Sequence, residues 1–378
     1  MSKLKLGMVG GGQGAFIGAV HRIASRIDGE FDLVAGALSS DAARAAASAG
    51  DLGIAPDRSY ASYDDMARAE AARSDGIDVV AIVTPNHMHA APAIAFLRAG
   101  IHVICDKPLA HSTEDGEKIA AAVAESGKLF ILTHNYTGYP LIRQAREMVA
   151  RGDLGTIRVV NVEYVQDWLT QAPEPDNKQA AWRTDPARSG AGGCVGDIGA
   201  HAFNLASYVT GLETDRLSAD LDAFVSGRQL DDNVHVMLRF KGGAKGMLWA
   251  SQVAVGNENG LRLRIHGDKA GIEWSQENPN VMTYARFGEP KQILTRGGAG
   301  SSPAGQRNLR VPPGHLEGYL EGFATIYTEA AALIRHRDYG QPLDPNIHTP
   351  DISDGLLGMR FITACVNSSR QDAAWVAL

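Results

Sequence analysis

Through the first 135 residues, short apolar runs alternate with Ala-rich segments of helical periodicity. Leu4–Val9, Phe31–Leu38, Val79–Val83, Ile101–Cys105 and Leu129–Leu132 read as buried strands, with helices near 14–27, 41–49, 62–73, 88–99 and 112–126 between them. Gly100 and Gly127 stand where helix C-caps belong. Strand–helix alternation of this kind predicts a parallel sheet covered on both faces. After about residue 136 the pattern changes: a helix near 139–151 leads through Gly152 and Gly155 into runs of period two. Val234, Val236, Leu238 and Phe240 alternate with His235, Met237 and Arg239, and Leu261, Leu263 and Ile265 alternate with Arg262, Arg264 and His266. That pattern predicts antiparallel strands with one face buried. Further strands are expected at 156–166, 217–225, 244–254, 270–274 and 280–287, with closing helices near 316–336 and 352–369. Residues 167–191, which hold Pro173, Pro175 and Pro186, and the Gly-, Ser- and Pro-rich 296–314 read as long loops, either functional or mobile.

A chain of 378 residues exceeds one ordinary core and points to two domains. With 44% hydrophobic and 21% charged residues it is of globular composition. A net charge of −7 without any basic cluster argues against nucleic-acid or anionic-membrane partners. The apolar run at Leu6–Val9 breaks at Gly10, too early for a signal-peptide core, and no stretch approaches the roughly 20 apolar residues of a membrane span. Cys105, Cys194 and Cys365 are an odd count without Cys-x-x-Cys spacing, so neither a disulfide framework nor a metal site is expected. A cytoplasmic location follows from these features.

Directly after the first strand stands Gly10-Gly11-Gly12-Gln13-Gly14-Ala15-Phe16-Ile17-Gly18. Such a turn lets backbone amides approach a pyrophosphate at a helix N-terminus. Gly10, Gly12 and Ala15 satisfy Gly-x-Gly-x-x-Gly/Ala; in an alternative, lengthened register Gly18 is the close-packing glycine. Gln13, Phe16 and Ile17 belong to the same cofactor-facing stretch. The second strand ends at Ser39-Ser40-Asp41, where Asp41 either holds the adenosine ribose or caps the following helix. NAD is favoured because no basic residue adjoins that strand end, although Ser39, Ser40 and Arg44 leave NADP open. Thr84, Pro85, Asn86 and His89 after the third strand, and Asp106 and Lys107 after the fourth, complete the cofactor-facing set. Pro108 restricts Lys107 to an extended conformation, which points the lysine into the cleft at the strand ends.

Asp197 and His201, four apart in Gly192-Gly193-Cys194-Val195-Gly196-Asp197-Ile198-Gly199-Ala200-His201, share one helix face. A carboxylate beside an imidazole suits acid–base chemistry near neutral pH. The surrounding glycines at 192, 193, 196 and 199 are expected to clear space for substrate and nicotinamide.

Taken together, the Gly10–Gly18 turn with His21, Thr84-Pro85-Asn86-His87-Met88-His89, Asp106-Lys107-Pro108, His134-Asn135-Tyr136 and the 192–201 segment resemble the Gfo/Idh/MocA family of sugar and polyol oxidoreductases. Within it the chain looks most like the scyllo-inositol or glucose-type dehydrogenases. Asp106 replaces the family's more usual Glu, Asn204 a frequent Asp, and the Gly-rich turn is lengthened. The resemblance implies an α/β fold: a dinucleotide-binding Rossmann domain over 1–135 and an α+β domain over 136–378 with an open, mostly antiparallel sheet. The closing helices are free to pack back on the first domain. It also implies that Lys107, Asp197 and His201 surround the reacting carbon, and that the open sheet builds dimers or tetramers.

On this view a cyclic polyol or sugar loses a proton to His201, the general base, while Asp197 orients the imidazole or binds the substrate hydroxyl and Lys107 donates to the reacting oxygen. Trp182 and Arg183 are the foremost substrate contacts, an aromatic face and a guanidinium fork; Asn135, Tyr136, Asp167 and His315 follow, His315 in its own or a neighbouring subunit's site. Competing readings are oxidation at C3 of a glycoside, an NAD-dependent redox glycosidase, and a nucleotide-sensing protein without chemistry.

Overall fold

The computed structural model describes residues 2–172 and 177–378; Pro173 and Pro175 lie outside the described residues. The chain begins β1 (Leu4–Gly10), α1 (Phe16–Ile27), β2 (Phe31–Ala37), α2 (Ala42–Asp51), α3 (Tyr63–Ala72), β3 (Val79–Val83), α4 (Ala90–Arg98), β4 (His102–Cys105), α5 (Thr113–Ser126) and β5 (Phe130–Leu132). All five strands pair in parallel, in the order β2-β1-β3-β4-β5. β3 is apolar and buried along its whole length, as a central strand covered on both faces must be. Local signals set the helix ends. Ser62 and Ser112 accept the amides of Asp65 and Asp115 at their N-caps, and Gly127 closes α5 in the left-handed conformation.

The chain continues α6 (Pro140–Ala150), β6 (Ile157–Val165), α7 (Lys178–Arg183), α8 (Pro186–Ser189), α9 (Ala200–Thr210), β7 (Thr214–Asp222), β8 (Asn233–Phe240), β9 (Lys245–Ser251), β10 (Gly260–Gly267), β11 (Ala270–Ser275), β12 (Val281–Arg286), β13 (Gln292–Thr295) and α10 (Pro303–Gln306). It ends with α11 (Tyr319–Tyr339), α12 (Ile352–Ser369) and β14 (Val376–Ala377). A second sheet has nine strands in the order β13-β12-β11-β10-β6-β9-β8-β7-β14. Every pair in it is antiparallel except β6 with β9. The period-two runs behave as their pattern demands: Val234, Val236, Leu238 and Phe240 are buried, while Met237 is 54% exposed. The architecture is therefore the expected parallel sheet followed by a mostly antiparallel one.

Contacts group Met1–Asn135 with Tyr319–Leu356 as one unit, and Tyr136–Gly318 with Leu357–Leu378 as the other. The second unit is thus interrupted rather than continuous to residue 378. The cause is apolar burial on α11, whose Phe323, Ile326, Tyr327, Ala330 and Ile334 join a core that includes Leu6, Met8 and Phe31.

Two stretches are more ordered than their composition suggests. Within 167–191, α8 is set by the Asp185 side chain accepting the Ala187 amide and by Pro186 at the first helical position. The 296–314 stretch is anchored at its base. The buried Arg296 guanidinium donates to Asn280 Oδ1, to Glu317 Oε1 and to the carbonyls of Val311, Pro312 and His315. A buried charge satisfied on every side holds the chain around it in one arrangement.

Candidate active site

In the first unit the Gly-rich turn is built by close approach. Gly10 and Gly11 have φ of 79° and 73°, the left-handed region where a side chain is strained. The Gly12 amide donates to Leu38 O at 3.2 Å, and a Cβ on Gly12 would lie 2.7 Å from that oxygen. A Cβ on Gly18 would sit 2.4 Å from Gly11 Cα. The close-packing glycine is therefore Gly18, the lengthened register, and Ala15 instead stands at the N-cap of α1. No acidic residue occupies the first turn of α1 and no side chain caps it, so its leading amides and the positive end of its dipole suit an anion. A cleft of about 420 Å³ opens here, lined among others by Gly12, Gln13, Phe16, Arg22 and Ser48. Gln13 is fixed, its amide on Ser48 Oγ at 3.0 Å and its Nε2 on Asp51 Oδ2 at 2.8 Å. Phe16 is 63% exposed on the lip. These residues fit the pyrophosphate of a dinucleotide. At the end of β2, Asp41 caps α2: its Oδ1 accepts the Arg44 amide at 2.7 Å, while its own amide donates to Ser39 Oγ at 3.1 Å.

The next two strand ends are tied together by His89. Its Nδ1 lies 2.8 Å from Pro108 O and its Nε2 2.8 Å from Thr84 O. At 1% exposure the ring is enclosed between Thr84-Pro85-Asn86 and Asp106-Lys107-Pro108, and as a neutral imidazole it donates to one of the two carbonyls. Burial pushes its pKa down. Lys107 is half-buried, and the Lys107–Pro108 bond is cis. Burial alone would raise the Asp106 carboxyl. His21, whose Nε2 is 3.8 Å away, Lys107 and the Thr133 hydroxyl, donating at 2.8 Å, instead hold it down at about 2. Behind it His21 Nδ1 pairs with Tyr327 Oη at 2.8 Å. His134 is kept neutral, its pKa lowered to about 3 by burial and then by Lys107. Asn135 is 1% exposed and its Nδ2 has no hydrogen-bond partner within the protein. A buried donor without a protein partner is one that a water or a ligand hydroxyl can satisfy.

In the second unit Val195–Gly199 forms one π-helical turn, closed by the Ala200 amide on Val195 O, and runs directly into α9. Such turns are frequent at functional sites. Asp197 Oδ2 accepts from Arg183 Nε at 3.1 Å and from Gln252 Nε2 at 2.9 Å. The Arg183 guanidinium lies 4.3 Å from the Trp182 ring and 5.9 Å from that of Trp168. His201 is 8% exposed, with the Tyr136 ring at 5.0 Å and the Tyr164 ring at 6.1 Å. The two phenols meet at 2.6 Å, and Tyr164 donates to Asn259 Oδ1 at 2.7 Å. Burial raises the Tyr136 pKa, so that phenol stays protonated.

Asp197, His201, Tyr136 and Arg183 thus come together, with Trp182 against Arg183. Asp167 Oδ2 accepts the Gly256 amide at 3.0 Å, which closes a loop beside Trp168. His315 is exposed, and its carbonyl is held by Arg296. Two of the glycines serve the protein itself. A Cβ on Gly193 would lie 2.3 Å from Asp231 O, and one on Gly192 would lie 2.4 Å from Val195 Cγ1. Gln252, Trp168, Tyr164 and Asn259 belong to none of the sequence motifs. Trp168 and Gln252 stand just past β6 and β9, whose parallel pairing sends both C-terminal ends the same way. That is the one signal that would have found them.

The first unit is thus an NAD-binding Rossmann domain of an oxidoreductase. The profile of the oxidoreductase family with an NAD-binding Rossmann fold matches residues 4–145, and that of the GFO/IDH/MocA C-terminal domain matches residues 142–273. The chain belongs to the Gfo/Idh/MocA oxidoreductase family. It is 53% identical to an oxidoreductase from Sinorhizobium meliloti, with all of both chains covered and a TM-score of 0.90. It is 34% identical to an inositol dehydrogenase homologue from Azotobacter vinelandii, solved with NADH and myo-inositol, covering 100% and 98% at a TM-score of 0.93. Levoglucosan dehydrogenase of Pseudarthrobacter phenanthrenivorans is 28% identical over 100% of this chain and 98% of its own.

Proposed function

We propose that this chain oxidises a secondary hydroxyl of a cyclic polyol or sugar, of the inositol or aldose type, with NAD as hydride acceptor. What carries the proposal is the second unit's polar cluster. A carboxylate gripped through one oxygen by Arg183 and Gln252 shares a helical segment with a buried imidazole walled by two tyrosines. Trp182 and Trp168 add flat apolar faces beside a guanidinium, which suits a ring that is apolar on its faces and hydroxylated at its rim. The relative solved with NADH and myo-inositol supports this class.

Nicotinamide, when bound, takes up hydride from the alcohol carbon. The Gly10–Gly18 turn and the first amides of α1 hold the pyrophosphate, and Thr84, Pro85 and Asn86 line the cofactor. His201 accepts the hydroxyl proton; Asp197, immobilised on one oxygen, directs the other toward imidazole or substrate. Lys107 keeps the part that the family resemblance implies, a donor to the reacting oxygen. Asn135 Nδ2 supplies a further donor for a hydroxyl. His315 stays a candidate substrate contact.

Replacing His201 by Ala lowers kcat about 10²–10⁴-fold if it is the general base. A change under about threefold removes that assignment. Incubation with NAD+ or NADP+ against inositols, aldoses, levoglucosan and aryl glycosides fixes the class. Net NADH is expected. Aglycone released without net NADH favours the redox glycosidase, and neither product favours a binding protein. We also infer a cytoplasmic homo-oligomer, dimer or tetramer, formed through the exposed face of the large sheet, where Met237 and Met247 are 54% and 46% exposed. Among the described residues no helix is long and apolar enough to cross a membrane.

A further inference from the structure

The segment bearing Asp197 and His201 begins at amides that its own sequence has no means to satisfy. Gly192 and Gly193 offer no side chain, and no side chain caps the turn locally. Yet the amides of Gly193, Cys194 and Val195 all end on one residue 36 to 38 positions away. Asp231 Oδ1 accepts from Gly193 at 2.7 Å, Oδ2 accepts from Val195 at 2.7 Å, and its carbonyl accepts from Cys194 at 2.8 Å. We propose that Asp231 is the positioning residue of the active site, fixing where the Val195–Gly199 turn starts and hence where Asp197 and His201 stand. The proposal rests on the roles given above to Asp197 and His201.

Three features single out this residue. Gly193 is a glycine because any Cβ there would run into Asp231 O at 2.3 Å and Leu230 Cβ at 2.8 Å, so the two positions are matched. The next residue, Asp232, is also buried, but its carboxylate takes the amides of Phe224 and Val225 and pairs with Arg228 at 3.1 Å. It organises a different loop. Finally, Gln252, which donates to Asp197, has its own amide on Asp232 O at 2.8 Å. The stretch Asp231–Asp232 therefore holds the site segment directly through one residue and the Gln252 brace through the next. A one-residue slip in the starting amide would rotate Asp197 and His201 together, away from the positions in which Gln252 and the two tyrosines meet them.

The test compares Asp231→Asn with Asp232→Asn in the full chain. Hydrogen exchange is followed in a peptide spanning 190–204, alongside NAD+ affinity, cooperative melting, and kcat and KM with NAD+ and myo-inositol or the best substrate of the panel. Asp231→Asn is expected to speed exchange at 193–195 about tenfold or more and to lower kcat about 10–100-fold. NAD+ affinity should stay within about twofold, because the cofactor turn belongs to the other unit. Asp232→Asn should leave the 190–204 peptide protected. Asp231→Glu keeps an ionised acceptor in case Asp231→Asn does not fold; it should recover part of the protection and give an intermediate kcat. Exchange and kcat unchanged in Asp231→Asn overturn the proposal, and so does an equal response to Asp232→Asn. If the wild-type chain reduces NAD+ with none of the panel, the functional reading fails, whereas the exchange comparison still decides on Asp231.

Discussion

Asp106 in the first unit and Asp231 in the second are aspartates whose carboxylates lie inside the protein, and their surroundings push them in opposite directions. Around Asp106 stand Lys107, His21 and the Thr133 hydroxyl, and the carboxyl is held at about 2 despite its burial. Around Asp231 stand neutral main-chain amides, with the carboxylate of Asp232 adding to the negative charge, and burial raises the carboxyl to about 6. Two amide bonds at 2.7 Å do not offset desolvation, while His21, followed by Lys107 and the Thr133 hydroxyl, does. The lesson is a division of labour. The first unit uses charge compensation to hold an ionised carboxylate at a strand end, and the second uses geometry, accepting an electrostatic cost to hold two amides on one carboxylate.

The largest test of that contrast is Lys107→Met. It removes the cation beside Asp106 and the proposed donor at once. The expected loss in kcat/KM is about 10²–10³-fold, the magnitude of one lost oxyanion-type donor. The His134 pKa, now lowered by burial and then by Lys107, should rise, which NMR titration of its ring would read. Exchange in the 190–204 peptide should not change. Activity within about threefold of wild type would take Lys107 out of the chemistry.

Stability against pH sharpens the comparison, because the two aspartates carry opposite signs. Asp106 has a folded pKa below its unfolded value of about 4. It therefore stabilises the fold above pH 4 and loses that contribution, on the order of 2 kcal/mol, as pH falls from 4 toward 2. Asp231 has a folded pKa above its unfolded value. Its contribution is full below about pH 4 and is lost as pH rises through 6, again on the order of 2 kcal/mol. Urea unfolding at several pH values checks both. The wild-type chain should lose stability relative to Asp106→Asn on acidification from pH 5 to pH 3, and relative to Asp231→Asn on the way from pH 4.5 to pH 7.5. Two slopes of the same sign would break the contrast.

What the sequence disclosed follows the same line between local and distant causes. The parallel strands were legible because each is a short apolar run between helical segments, and β8 and β10 because polarity alternates without a break. The four-residue β13 and the two-residue β14 carry too few positions for any period to register. The 296–314 stretch read as loose because Gly, Ser and Pro dominate it, whereas its order comes from Arg296, buried beneath it and satisfied by five acceptors. Of the residues of the proposed site, Lys107, Asp197 and His201 are the ones that spacing and setting single out in the sequence. Asp231 and Gln252 are not among them, since each acts across 36 or more positions onto a segment whose own pattern says nothing of them. Asp167 and His89 fitted the expected chemistry by residue type, and the hydrogen bonds add a loop closure at Asp167 and a contact between two strand ends at His89, neither of which residue type discloses.

Asp41 offers a third kind of carboxylate and the smallest expected effect. It is exposed, with neither the cations of Asp106 nor the burial of Asp231, and one oxygen accepts the Arg44 amide at the start of α2. Its removal in Asp41→Ala should cost about 1 kcal/mol, the usual worth of an N-cap in water. The cap uses Oδ1 and leaves the question of whether the same residue also meets the adenosine ribose. Cofactor titration separates the two roles. If Asp41 only caps, the affinities for NAD+ and NADP+ shift together and by less than about twofold, because a modestly frayed helix end disturbs both alike. If it also binds the ribose 2′-hydroxyl, NAD+ affinity falls about tenfold while NADP+ holds or improves, since a carboxylate repels the 2′-phosphate that Ser39, Ser40 and Arg44 would otherwise receive. A selective loss of NAD+ would add a ligand contact to a helix cap at the end of β2. An equal, small shift would leave NAD preference to main-chain shape at Gly12 and Leu38, where the amide-to-carbonyl bond of 3.2 Å fixes how closely the turn approaches that strand.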